Sequence, residues 1–142
     1  MQTLEFRAMN TPILLAAEGE DLAITGLQAA RALIEISEQR FSRFLTDSEL
    51  SSLNRSAGQW FSASHVLMEI IILSLKYFHE TGGLFDPSIL PDLKRAGYDK
   101  SMEALRAQDP VDRSAGPRSV RPTYSSIDID LAGSRVRLPQ GM

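Results

Sequence analysis

Leu4, Phe6 and Ala8 alternate with polar neighbours, and after Pro12 the positions Ile13, Leu15 and Ala17 repeat the same period of two. That period predicts two strands joined by a turn near Asn10. Over residues 23–41 the spacing changes: Leu27, Ala30, Ile34 and Phe41 recur at helical intervals, with Arg31, Glu35, Glu38 and Arg40 between them. This predicts an amphipathic helix lying on a core. Residues 46–57 are rich in Ser, Asp and Asn and predict a short polar helix or loop. A second long helix is predicted over residues 64–80. Val66, Ile70, Leu73 and Tyr77 form one stripe of it, and Leu67, Ile71 and Phe78 lie beside that stripe. Apolar residues cover more than half its girth, so it is expected to be the most buried helix, and Gly82-Gly83 stop it.

A third, shorter helix is predicted over 101–107, and the proline-rich stretch 109–122 reads as an irregular connection. Ile127, Ile129 and Leu131, then Val136 and Leu138, alternate around Ala132-Gly133-Ser134 and predict a closing hairpin. Strands, then helices, then strands imply an α+β fold, an antiparallel sheet packed with helices, in a single region spanning 1–142. The last hairpin leaves an edge with no later strand to pair with, so a missing part or a partner is expected to cover it.

Composition narrows the function classes. The chain has 142 residues, 43% hydrophobic and 23% charged, the balance of an ordinary globular domain. Its net charge of -3 leaves no domain-wide basic excess for a nucleic-acid partner. The basic stretch 113–121 is short and broken by Gly116 and Pro117, as in a solvated loop. With no cysteine, neither a disulfide framework nor a thiolate metal site is available. The start lacks a basic and then apolar leader, and the run 66–75 is interrupted by Glu69 and Ser74, too short for a membrane span. A cytoplasmic location is expected, or a periplasmic one if a leader has been removed. His65 and His79 are the only histidines, and neither has a second at metal-ligand spacing. Asp128 and Asp130 share one strand face, where they offer two oxygens to a hard cation or, more simply, form a solvated face.

Three clusters carry specific chemistry. The first is Phe6-Arg7-Ala8-Met9-Asn10-Thr11-Pro12. The second is Phe41-Ser42-Arg43-Phe44 followed by Asp47-Ser48-Glu49-Leu50-Ser51-Ser52-Leu53-Asn54. The third is Thr81-Gly82-Gly83-Leu84-Phe85-Asp86-Pro87. Gly82 and Gly83 permit close approach of a ligand to the backbone, and equally a plain helix stop. Pro87 holds Asp86 extended, which suits an acceptor for ribose hydroxyls or a ring amino group, or a simple turn residue. The 47–54 cluster fits a capped helix start better than a ligand site. Taken singly, Met9 and Phe44 fit core residues.

In order and separation the three clusters resemble the ApbE family of FAD:protein FMN transferases. They are similar to its F-x-x-M-G-T opening, its aromatic-then-SELSxLN segment and its TGGxFDP turn. Gly97-Tyr98-Asp99 is similar to a further family position. The resemblance covers nearly the whole chain and implies the N-terminal half of the family's fold. By it, Phe44 would lie against the flavin, where an aromatic face suits stacking on isoalloxazine. Met9 would line the same pocket with an adaptable thioether, and Leu84, Phe85 and Asp86 would contact the dinucleotide. Asn10 stands where the family has glycine; Asn tolerates positive φ, so the turn is expected to survive.

The resemblance further implies FAD as substrate, with FMN passing to a Thr or Ser hydroxyl of a target flavoprotein. It implies Mg2+ at the pyrophosphate, held by a D-L-G-G-type segment and later residues expected beyond position 142, so the metal-binding part is not in this chain. FAD and a target flavoprotein are the implied partners, and either the C-terminal half or a second copy of the chain is expected at the open hairpin edge. The alternative is a truncated, non-catalytic module that binds flavin or self-associates.

Overall fold

The computed structural model describes residues 1–98 and 124–142. The helix expected at 101–107, the connection 109–122, the Asp99 position and the basic stretch 113–121 lie outside the described residues.

β1 (Gln2–Ala8) and β2 (Thr11–Ala17) pair antiparallel, with Ala8 opposite Thr11, so Met9 and Asn10 alone make the turn. Both have positive φ, 50° and 58°, the type I′ arrangement whose twist matches that of paired strands. Leu4, Phe6 and Ala8 turn inward toward α1 (Asp21–Phe41), which buries Ala23 and Leu27. Across this contact the Arg31 guanidinium lies 5.3 Å from the centre of the Phe6 ring.

Ser42 ends α1 in an extended conformation. Its carbonyl accepts from the hydroxyls of Ser48 (2.6 Å) and Ser51 (3.3 Å). The same Ser48 hydroxyl accepts from the Ser51 N–H at 3.0 Å and so caps α2 (Glu49–Arg55). A buried hydroxyl serving both roles ties the end of α1 to the start of α2, and a cap of this kind is worth about 1 kcal/mol. The polar cluster at 47–54 is therefore a capped helix, as its composition suggests.

β3 is the two-residue strand Phe61–Ser62. It leads into α3 (His65–Glu80), capped by Ser64, whose hydroxyl accepts from Leu67 N–H at 3.2 Å. α3 ends as the paired glycines imply. Gly83 N–H donates to Phe78 C=O (2.8 Å) and Gly82 N–H to His79 C=O (3.1 Å), with both glycines at positive φ. This is the Schellman pattern.

α4 (Leu90–Arg95) was not evident in the apolar periodicity. Its signals are local: Pro91 in the first turn and Lys94 and Arg95 in the last. After a single 3-10 turn at Tyr124–Ser126, β4 (Asp128–Asp130) and β5 (Arg135–Arg137) form the expected hairpin.

The strand order β3-β5-β4 changes which edge is open: β3 pairs with β5 and makes it the central strand, so among the described residues the unpaired edge of the hairpin is that of β4. Two residues are too few to show a period, so the covering strand could not be read from the pattern. The fold is α+β with antiparallel sheets, as expected, but the strands form two separate sheets rather than one.

The core joins Leu53 of α2, Leu67, Met68 and Ile71 of α3, Tyr124, and Ile127, Val136 and Leu138 around the second sheet. The expected burial of α3 is half right. The stripe of Leu67 and Ile71 is buried, whereas Val66, Ile70, Leu73 and Tyr77 are each 40–49% exposed. The core lies against one side of the helix, and the other side stays half exposed, with Phe85 meeting Tyr77 on it.

Candidate functional site

The hairpin turn and the C-terminal end of α1 border a cleft of about 660 Å³, within the span of roughly 300–1,000 Å³ usual for small-molecule sites. Met9 and Phe44 both line it. They are 57% and 46% exposed, so neither serves as an ordinary core residue here.

Each is positioned by a specific device. Met9 N–H donates to Glu38 Oε1 of α1 at 2.8 Å, which secures a turn that is strained for a residue with a side chain. Asn10 keeps the turn, as expected of an Asn at positive φ, and its Oδ1 accepts from Arg7 Nη2 at 2.7 Å. Phe44 sits in the short segment that the Ser42–Ser48 hydrogen bond pins, and its N–H donates to Ser42 Oγ at 3.2 Å. The Arg43 guanidinium stacks over the Phe44 ring, 4.1 Å from its centre. Nη1 of Arg43 also donates to the Tyr98 carbonyl at 2.7 Å, a contact spanning 55 positions.

The third cluster lies elsewhere. Leu84, Phe85 and Asp86 are on the turn after α3 and are not among the walls of this cleft. Leu84 is 93% exposed. Phe85 meets Tyr77 edge-on at 6.4 Å, and its N–H donates to Thr81 Oγ1 at 3.0 Å. Asp86 Oδ1 accepts from both Ser88 N–H (2.9 Å) and Ser88 Oγ (2.5 Å), so its carboxylate acts as a turn former toward a buried serine. Asp86 also acts on Tyr124. Burial pushes the Tyr124 hydroxyl above its ordinary range, the Asp86 charge adds to that, and a hydrogen bond with Ser74 opposes both.

Asp128 and Asp130 are each engaged by an arginine, Arg137 at 2.7 Å and Arg135 at 2.5 Å. The hydrogen bonds from Arg135 and from Gly133 N–H hold the Asp130 carboxyl below the usual carboxylate range. The positive charge beside each carboxylate thus comes from an arginine of the neighbouring strand. Among the described residues no three acidic or histidine side chains converge on one point. Nor, among them, is any helix long and apolar enough to cross a membrane. His65 lies 3.8 Å from Glu69, and His79 packs edge-on against Phe78.

Residues 9–141 match the family model described as the ApbE family. The chain belongs to the ApbE family. Its fold is similar to that of the ApbE protein of Thermotoga maritima MSB8, with a TM-score of 0.75 at 19% identity over 99% of this chain and 45% of that one. It is also similar to the apo form of the flavinyl transferase ApbE of Pseudomonas stutzeri, with a TM-score of 0.66 at 17% identity over 96% of this chain and 46% of that one. The chain thus spans a little under half the length of these solved proteins. A comparison with curated proteins finds no match.

In this ApbE chain the family match begins at Met9, the residue on which the hairpin turns. Sequence reasoning singled out Met9 and Phe44, but not Glu38 and Arg43, which hold them. Glu38 is separated from Met9 by 29 positions and looks like any polar residue on the outer face of a helix, so no local signal marked it. Arg43 stands beside Phe44 in the quoted motif, yet its stacking and its tie to Tyr98 appear only once the chain is folded.

Proposed function

We propose that this chain forms part of an ApbE-type flavin transferase, with Met9 and Phe44 facing the isoalloxazine of FAD and Leu84, Phe85 and Asp86 meeting the same dinucleotide from the turn after α3. The observation that carries this reading is that Met9 and Phe44, far apart in sequence, line one cleft of ligand size. An exposed ring supplies a stacking face for a flat heterocycle, and the thioether adapts to its edge. In the reaction, a Thr or Ser hydroxyl oxygen of the target flavoprotein bonds to the phosphorus on the FMN side of the pyrophosphate. The bridging P–O bond breaks, AMP leaves with the electron pair, and the hydroxyl proton passes to solvent.

Such transfer calls for a divalent cation, Mg2+ in the family's case, to neutralise charge on the phosphate oxygens. The described residues do not fit one, since their acidic groups do not converge. What this chain's own residues do is bind and orient: the Glu38 carboxylate fixes the Met9 turn and the Ser42–Ser48 bond fixes Phe44. Because the described residues offer no such cation site, a second reading is that the chain binds flavin without transferring it.

Two measurements separate these readings. Titration of the chain with FAD, followed by flavin fluorescence, is expected to show saturable binding that Phe44→Ala weakens about tenfold. Incubation with FAD, Mg2+ and a target flavoprotein, read by mass spectrometry, then tests for covalent FMN. Binding with no transfer selects the second reading, and no FAD binding at millimolar ligand overturns both.

A further inference from the structure

We propose that Arg43 is the residue by which this cleft distinguishes phosphorylated from unphosphorylated flavins, an inference that rests on the flavin-binding reading above. Three observations converge on it. Arg43 lines the same cleft as Met9 and Phe44. Its guanidinium is held in place from two directions, by the Phe44 ring 4.1 Å below it and by the Tyr98 carbonyl 2.7 Å from Nη1. Among the described residues, no carboxylate comes within ion-pair distance of it. Glu38, the acidic residue in the cleft wall, has Oε1 committed to the Met9 N–H.

An arginine with fixed orientation and no acidic partner is a preorganised anion receptor. Its planar fork matches two oxygens of a phosphate, and little rotamer freedom remains to be lost on binding. The hydrogen bond to Tyr98 takes one of five N–H donors. Stacking on Phe44 also places the charge over one face of the ring on which the heterocycle is proposed to lie. Because Arg43 lines the cleft, the ribityl phosphate or pyrophosphate of a flavin bound there would have this cation to meet, whereas riboflavin has no group for it. The stack constrains the geometry too, because Arg43 occupies one side of the Phe44 ring, leaving the other side or the ring edge for the isoalloxazine.

The test compares riboflavin, FMN and FAD by fluorescence titration of the 142-residue chain, using the native sequence, Arg43→Met and Arg43→Lys, with circular dichroism confirming that each is folded. The native chain is expected to bind FMN and FAD about tenfold or more tightly than riboflavin, as a charge-assisted contact to phosphate implies. That preference should shrink as ionic strength rises. R43M should bring it to about twofold or less by costing FMN and FAD affinity more than riboflavin affinity, and R43K, which keeps the charge but loses the fork, should fall between.

Equal affinity of the native chain for riboflavin and FMN overturns the role of Arg43 and leaves flavin binding standing. So does an R43M variant that keeps the phosphate preference, or one that loses riboflavin binding in the same proportion, which would make Arg43 only a support for Phe44. Absence of binding by all three flavins removes the functional reading and this inference together.

Discussion

A methionine with φ of 50° is an uncommon occupant of a hairpin tip. Left-handed backbone costs a residue with a Cβ roughly 1–2 kcal/mol relative to glycine, and here the Glu38 carboxylate offsets part of that by accepting the Met9 N–H. Met9→Gly should therefore raise stability by about 1 kcal/mol in urea unfolding. The same change should weaken FAD binding, because the thioether leaves the cleft wall. A variant that is more stable and binds FAD as well as before would show that Met9 is not there for the ligand. Asn10 carries no such tension, since its φ of 58° is one that Asn tolerates. This residue-level logic was legible in part: the turn and the tolerance of Asn10 follow from residue chemistry, but the help from α1 does not.

Among the elements, α3 gives the sharpest contrast. Ile71 faces the sheet and is buried, whereas Leu73, two positions on, is half exposed. Ile71→Ala should cost about 2–4 kcal/mol of unfolding free energy, and Leu73→Ala less than about 1 kcal/mol. Similar costs at the two positions would mean that the outer stripe is packed against something in solution. Periodicity alone located α1, α3 and both hairpins, because long amphipathic helices and alternating strands carry redundant signal. It could not choose between two adjacent apolar stripes on α3, since that choice depends on where the three-stranded sheet lies. β3 was too short to show a period, and α4 announced itself through its end residues rather than through apolar spacing. Of the candidate site, Met9 and Phe44 were identified from motifs. That they share a cleft apart from Leu84, Phe85 and Asp86 follows from tertiary contacts that no local pattern encodes.

For the molecule as a whole, the second sheet and α3 form the body, and Tyr124 is their most informative titratable group. Burial raises its hydroxyl above the ordinary value of 10.0, with the Asp86 charge in support. A raised folded-state value means that the native protein retains this proton more tightly than the unfolded chain. The stabilisation is therefore complete below pH 10.0 and is lost as pH rises from there through the folded-state value. Urea unfolding at about pH 8 and about pH 11 should show that loss, and Tyr124→Phe should reduce it. An equal alkaline loss in the phenylalanine variant would assign the effect to other groups.

Glu49 receives both the N–H and the hydroxyl of Ser64, at 2.6 and 2.7 Å, from a helix that begins at Glu49 itself. One side chain at the start of α2 thereby closes the start of α3, and Arg40 of α1 lies 3.6 Å from the same carboxylate. Three helices that meet at a single carboxylate should not fray separately. The last turn of α1 and the first turns of α2 and α3 would open together as one cooperative unit in hydrogen exchange, and Glu49→Ala would divide that unit into independently exchanging segments.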